Sequence, residues 1–371
     1  MKIVFLSNYY NHHQAFLSLQ LNSMCDDYMF IETGEMLEER KNMGYSLITR
    51  PKFVYKDNDF EKNELIKLIV DADVVIIGAA PDYLIKERIK MKKLIFRYSE
   101  RIFKEKNIDI FRWIKYTVKT FPQRKHNVYY LFSSAYASSD YFKCGVKLAK
   151  CYKWGYFPEC KNYDIDELIS SKTQNSILWC ARLIDLKHPE MAISVAKRLK
   201  KDGYDFTMNI IGDGELKSYI NNEIIKENLK DNVHLLGSMT PENVRKYMEK
   251  SEIFLFTSDR HEGWGAVMNE SMNSGCAVVA SNVVGATPFL LKDNKNGCVF
   301  SCMNENELYN KVCMLLNDDD FRKKISKQAY YTISNEWNAK VAAERLIKLS
   351  NAILNGEQSP DLFEDGICSK A

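Results

Sequence analysis

Residues 253–281 read IFLFTSDRHEGWGAVMNESMNSGCAVVAS, and the parsing of this stretch decides the fold. The apolar run 253–256 ends in the polar turn Ser258, Asp259, Arg260, and a second apolar run occupies 277–280. Between them Trp264, Val267, Met268 and Met272 recur at helical spacing, and Gly275 stands where a helix stop is expected. The pattern predicts strand, helix, strand, with the helix beginning near Gly265. Its first N–H groups have no partners within the helix, and Gly263 and Gly265 let an anion approach the backbone closely. A phosphate site at a strand end is the expectation.

Glu262 and Glu270, seven residues apart in the intervening count, frame that site. Carboxylates repel phosphate, so their chemistry there is to accept hydrogen bonds from hydroxyls such as those of a ribose or hexose. Polyol beside phosphate points to a sugar nucleotide. The alternative is plainer: Glu270 as a solvated helix carboxylate, Glu262 as a first-turn acid favoured by the helix dipole.

Outward from this stretch the same alternation repeats. Strands are predicted at 2–6, 28–31, 53–55, 74–77, 94–97 and 128–131, then at 177–181, 207–211, 233–236, 253–256, 277–280 and 298–300, with helical segments between most of them. Such alternation predicts an α/β protein with doubly wound parallel sheets, in which ligands sit at the carboxyl ends of strands. The loops 7–13, 78–82 and 99–101 should then face one cleft. The pattern lapses from 151 to 173, where Gly155 and Pro158 precede a polar run. Expected domains are 1–155 and 156–336, then a helix within 337–355 that can cross back to the first domain, and a loose tail at 356–371. One helical pattern spans 305–333.

The composition fits two domains: 371 residues, 46% hydrophobic, each domain able to bury its own core. A net charge of +3 is small for this length and argues against a nucleic-acid binder. The 10 cysteines form no CxxC pair, and Cys180 and Cys276 sit in apolar runs as small core residues, as in a reducing cytoplasm. The opening MKIVFLSNYYNHH reads as a first strand rather than a signal peptide, and no stretch reaches the ~18 apolar residues of a membrane span.

Arg182 and Lys187 follow the first strand of the second half. Fixed cations on a strand-end loop can neutralise a departing diphosphate without reorganising. Gly212-Asp213-Gly214 follows the next strand and Gly237 the one after, where glycines leave room for a base and ribose; Thr240 and Pro241 then look like an N-cap and first helical position.

On these residues the sequence resembles the retaining glycosyltransferases of family 4, which have the GT-B architecture of two Rossmann-like domains facing across a cleft. Glu262-Gly263-Trp264-Gly265 with Glu270 matches the family's glutamate pair, and Arg182, Leu183 and Lys187 match its arginine, leucine and lysine, with Ala181 in place of the usual glycine. The resemblance implies that Glu270 holds the ribose and Glu262 the donor sugar. The amides of Trp264, Gly265, Ala266 and Val267 face phosphate or sugar, and Arg182 and Lys187 bind the diphosphate. Glu262, Arg182 and Lys187 are thus the expected catalytic residues, with Glu270, Gly263, Trp264, Gly265, Ala266, Val267, Gly212 and Gly237 in donor binding. The implied reaction moves a sugar from a UDP- or GDP-linked donor to a hydroxyl acceptor with its configuration kept, in surface polysaccharide or glycolipid synthesis.

The first loop offers Asn11, His12 and His13 where the family often has glycines, and His13 with Glu100 is expected to touch donor sugar or acceptor. Three Asp-x-Asp pairs, Asp57/Asp59, Asp71/Asp73 and Asp318/Asp320, read as solvated charge, so neither a metal nor a cofactor is expected. Between 101 and 125 eight Lys or Arg face two acids, interleaved with Ile110, Phe111, Trp113, Ile114, Tyr116 and Phe121. Such a segment is able to lie on an anionic membrane surface, which suits a saccharide or lipid-linked acceptor and a cytoplasmic protein placed peripherally on the inner face of the membrane. The plainer alternative is a helix with its aromatics in the core. Rival functions are an epimerase or phosphorylase on the same architecture, or a non-catalytic partner that binds nucleotide sugar.

Overall fold

The computed structural model describes residues 1–36, 49–104 and 109–371. The chain divides into two units, residues 1–159 with 337–371, and 160–336. Among the described residues the first unit is built on a seven-stranded sheet ordered β3-β2-β1-β4-β5-β6-β7, all pairs parallel. The strands are β1 Lys2–Ser7, β2 Asp27–Glu32, β3 Val54–Lys56, β4 Val74–Ile77, β5 Ile95–Ser99, β6 Val128–Phe132 and β7 Cys151–Lys153. Val4, Phe5 and Leu6 in β1 and Val74 to Ile77 in β4 are buried whichever way they point, because helices cover both faces of the sheet. Strand order reverses between β1 and β4, so the loops after these strands open at the switch point.

Arg88 ties this sheet to its helices. It is fully buried, and its guanidinium donates to the carbonyls of Ile69, Val70, Ala72, Asp73 and Leu94. These carbonyls close the helix Lys62–Asp71 and lead into β4 and β5. Burial lowers the Arg88 pKa to about 10, which leaves it charged at neutral pH.

β7 falls within the stretch where the pattern lapses, since three residues carry too little period to announce a strand. The tail, expected to be loose, is packed against it. Ile367 and Cys368 are buried, Cys368 N donates to Lys153 O at 2.9 Å, and Lys153 N donates to Ser369 O at 2.8 Å. An edge strand leaves main-chain groups unpaired, and the tail satisfies them. The helix Ala339–Leu354 packs on the helix His12–Met24 within the same unit.

The second unit has a six-stranded parallel sheet in the order β10-β9-β8-β11-β12-β13. Its strands are β8 Ser176–Cys180, β9 Thr207–Ile211, β10 Val233–Gly237, β11 Ile253–Phe256, β12 Ala277–Ser281 and β13 Cys298–Phe300. Thr240 Oγ1 accepts from Asn243 N at 3.4 Å and Pro241 opens the helix Pro241–Lys250, as the sequence suggests. The pattern over 305–333 resolves into the helices Glu305–Asn317 and Asp319–Tyr331, because Asp318 stops one and caps the other through Phe321 N at 2.9 Å.

Candidate active site

At the switch point of the second sheet β8 and β11 run side by side, Ile177 opposite Ile253. The loop after β8 carries Arg182 and Lys187, and the loop after β11 carries Glu262. Asp259 N donates to Leu186 O at 3.0 Å, and Thr257 Oγ1 donates to Lys187 O at 2.6 Å while accepting from Trp179 Nε1 at 2.8 Å. Thr257 and Trp179 are buried, so the two loops are stitched together from below. Lys187 Nζ ends up paired with Glu262 Oε2, which also accepts from Ser258 Oγ at 3.3 Å. Arg182 is exposed at the mouth of the same loop.

The helix of the deciding stretch is Val267–Asn273, two residues later than expected, because Gly265 adopts φ +87°. A Cβ at Gly265 would lie 2.2 Å from the Phe256 ring, so only glycine lets this turn pass over β11. Glu270 therefore sits in the first turn, half-buried, its N–H bonded to Ala266 O at 3.2 Å. Cys180, at the end of β8, lies within electrostatic reach of both Glu270 and Lys187; burial pushes its thiol up to about 12, with the Glu270 carboxylate adding to the rise and Lys187 opposing it. Trp264 has its side chain in the core instead of the site: it is fully buried, and its Nε1 donates to Asn269 Oδ1 at 2.9 Å. Gly263 is buried beside it, Ala266 is 9% exposed and Val267 is half-buried.

The helix is also held from its far end by residues that the sequence reading missed. Lys172 Nζ donates to Met248 O, Glu249 O, Ser251 O and Ser274 O at 2.8 to 3.1 Å, closing two helix ends at once, and burial lowers its pKa. Asn273 accepts from Lys161 N at 2.8 Å and pairs with Arg245. No short motif marks such residues; a lysine before a strand and an asparagine at the end of a helix look ordinary.

Gly212 and Gly214, expected to leave space for a ligand, pass close against a neighbouring loop. A Cβ on Gly212 would meet Ala181 O at 1.8 Å and one on Gly214 would meet Leu183 O at 2.4 Å. Leu183 N donates to Asp213 O at 2.9 Å and Leu216 N to Leu183 O at 2.9 Å, so this loop braces the one that bears Arg182. Gly237 has open space beside it and accepts Gly212 N at 2.9 Å. Gly212→Ala is expected to displace the 181–183 backbone and cost ~2–4 kcal/mol of stability, read by urea unfolding, because strained backbone and a clash with fixed atoms add.

His188, between Lys187 and the helix Pro189–Lys201, lies 2.7 Å from Glu190 Oε1 and 3.4 Å from Asp259 Oδ2. The bond to Glu190, then its charge and Asp259, raise the imidazole above its usual 6.5 against the opposing effect of burial. Burial pushes the Asp259 carboxyl up, but the main-chain and ring hydrogen bonds from His261 outweigh it and hold it below the usual range. A raised folded-state value means the His188 contribution is complete below about pH 6.5 and is lost as pH rises through that raised value. His188→Gln should therefore lower stability at about pH 6 and change it little at about pH 9, measured by urea unfolding at both.

In the first unit the loops after β1, β4 and β5 line a cavity of about 520 Å³ that includes Ser7, His13, Gly78, Ser99, Glu100 and Tyr156. The three loops singled out in the sequence thus meet. The His13 ring stacks on Tyr156 at 5.2 Å, and Tyr156 donates to Glu100 Oε1 at 2.6 Å. Arg101 pairs with Asp140 at 3.7 Å. Arg97 and Lys119 both pair with Asp82, at 2.7 and 3.1 Å. Asp82 closes the 78–82 loop singled out in the sequence, whereas Tyr156, just after β7, was not singled out.

Among the described residues no three His, Cys, Asp or Glu converge as a metal site. The Asp-x-Asp pairs serve main-chain ends instead: Asp59 accepts from Lys56 N, Asp73 from Lys2 N, and Asp318 from Phe321 N, at 2.7 to 2.9 Å. No described helix is long and apolar enough to cross a membrane.

Two parallel doubly wound sheets are the GT-B glycosyltransferase fold. The structure superposes on that of the Anabaena protein Alr3699/HepE, solved in complex with UDP, with a TM-score of 0.71 over 95% of this chain and 100% of that one, at 14% identity. Residues 162–332 match the family described as glycosyl transferases group 1. The poly(ribitol-phosphate) alpha-N-acetylglucosaminyltransferase of Staphylococcus aureus is 28% identical over 181 residues, 49% of this chain and 36% of that protein. A Campylobacter jejuni N-acetylgalactosamine-N,N'-diacetylbacillosaminyl-diphospho-undecaprenol 4-alpha-N-acetylgalactosaminyltransferase is 34% identical over 153 residues, 41% of this chain and 40% of that protein. The matches thus span well under half the length of these relatives.

Proposed function

We propose that the chain is a retaining, metal-independent glycosyltransferase that moves a sugar from a nucleoside diphosphate donor to a hydroxyl of a saccharide or lipid-linked acceptor in polysaccharide synthesis. The observation that carries this reading is the meeting of Lys187 and Glu262 at the joined ends of β8 and β11, where Glu270 and Lys187 each act on Cys180 at the end of β8. A cation for the diphosphate and carboxylates for hydroxyls are the groups an activated sugar needs. Lys187 and Arg182 would neutralise the leaving diphosphate, Glu262 would accept from a sugar hydroxyl, and Glu270 would accept from the ribose. The departing phosphate would take the acceptor proton, so no protein nucleophile is assigned.

The cavity of the first unit, with hydroxyl, amide and imidazole groups around aromatic walls, suits a saccharide acceptor or the donor sugar. The test is incubation with a panel of UDP-, GDP- and other nucleotide sugars, with nucleotide release followed in the presence and absence of saccharide acceptors. Acceptor-dependent release with an α product from an α-linked donor is expected. Release from no donor, or an inverted product, would overturn the reading.

A further inference from the structure

The helix Ile110–Thr120 in the first unit presents an unusual surface. Phe111 is 85% exposed, Val118 67%, Ile114 47% and Ile110 66%, and Phe121 just beyond the helix is 69% exposed. At about 100° per residue these five fall within about 100° of arc, one continuous apolar stripe. The opposite face is anchored: Thr120 Oγ1 donates to Cys144 O at 2.9 Å, and Trp113 Nε1 donates to Lys143 O at 2.9 Å. The aromatics expected either on a membrane or in the core are thus mostly outside it.

The bond from Trp113 ties the helix to the stretch 142–148, which exposes Phe142 at 59% and Leu148 at 45%. Around this apolar ground stand the exposed lysines Lys115, Lys125, Lys143 and Lys147. Between 109 and 125 the only acid is Asp109, and between 142 and 150 there is none. A second copy of the chain would bring these like charges together. An anionic surface matches them.

We propose that this face docks on an anionic lipid bilayer, the stripe entering the headgroup boundary and the lysines meeting lipid phosphates. Tyr116 and Lys119, on the same helix, line the cavity of the first unit. A docked helix therefore sets that cavity beside the membrane, where an acceptor borne on a lipid could enter. This last clause rests on the transferase reading; the docking does not.

Flotation of the full chain with phosphatidylcholine vesicles, with and without phosphatidylglycerol, tests it. Recovery with the anionic vesicles is expected, falling as salt rises. Phe111→Ser with Val118→Ser should lower the partition coefficient at least ~10-fold, and Lys115→Glu with Lys147→Glu at least ~10-fold with a weaker salt dependence. All four positions are exposed, and nucleotide-sugar binding by each variant, unchanged, shows that the fold and the donor site are intact. No recovery of the wild type with anionic vesicles would overturn the proposal. So would recovery unaffected by Phe111→Ser with Val118→Ser, or a concentration-dependent dimer that this variant abolishes. Docking without sugar transfer would leave this inference standing and sink the transferase reading instead.

Discussion

Replacing Glu262 with alanine is expected to reduce kcat for sugar transfer ~10²- to 10³-fold while the dissociation constant for the bare nucleotide changes less than about fivefold. Two effects combine. The carboxylate would accept from a hydroxyl of the sugar, a contact that matters as charge develops at the anomeric carbon. It also holds Lys187, whose ammonium it pairs with. Without Glu262 that ammonium is no longer shared, so the diphosphate keeps its cation even as the sugar loses its anchor.

Glu270→Ala should behave in the opposite way. Loss of hydrogen bonds from ribose hydroxyls to a charged acceptor is worth ~1.5–3 kcal/mol, so the donor and nucleotide dissociation constants should rise ~10- to 100-fold with kcat less affected. Glu262→Gln sorts the two parts of the first effect, since the amide can still accept from a hydroxyl but no longer balances Lys187. Steady-state kinetics with titration calorimetry on the three variants reads all of this.

Arg88→Leu is expected to cost ~3–5 kcal/mol of stability in the first unit, the loss that follows when one side of a buried charged network is removed. Five carbonyls from the end of one helix and the approaches to β4 and β5 would lose their donor, those of Ile69, Ala72 and Leu94 in buried surroundings. Lysine is not a rescue, because one ammonium cannot span carbonyls that the guanidinium fork reaches from three nitrogens. Hydrogen exchange should show the amides of β4 and β5 opening first, with those of β8 and β11 in the second unit protected as before.

The parallel sheets were legible because their strands are buried on both faces and so read as unbroken apolar runs, as at 74–77 and 253–256. The chemistry-bearing loops were legible for a related reason, since in such sheets they must lie at carboxyl ends, and Lys187 and Glu262 do meet there. What escaped the sequence has no period. β7 is three residues long, the tail against it holds its place through main-chain pairing, and Lys172 and Lys161, distant in the chain, hold the end of the Glu270 helix through Ser274 and Asn273. The glycines of 212 and 214 were visible, but their contact was not: close approach to the Ala181–Leu183 backbone is a property of two loops together. Trp264 likewise stands in the motif while its ring packs inward.

A crystal of the protein grown with its nucleotide sugar donor would test the central claim most directly. The account predicts diphosphate density against Lys187 and Arg182, ribose hydroxyls on Glu270 and a sugar hydroxyl on Glu262. Nucleotide bound elsewhere, with Lys187 and Glu262 still paired and touching no ligand, would contradict it.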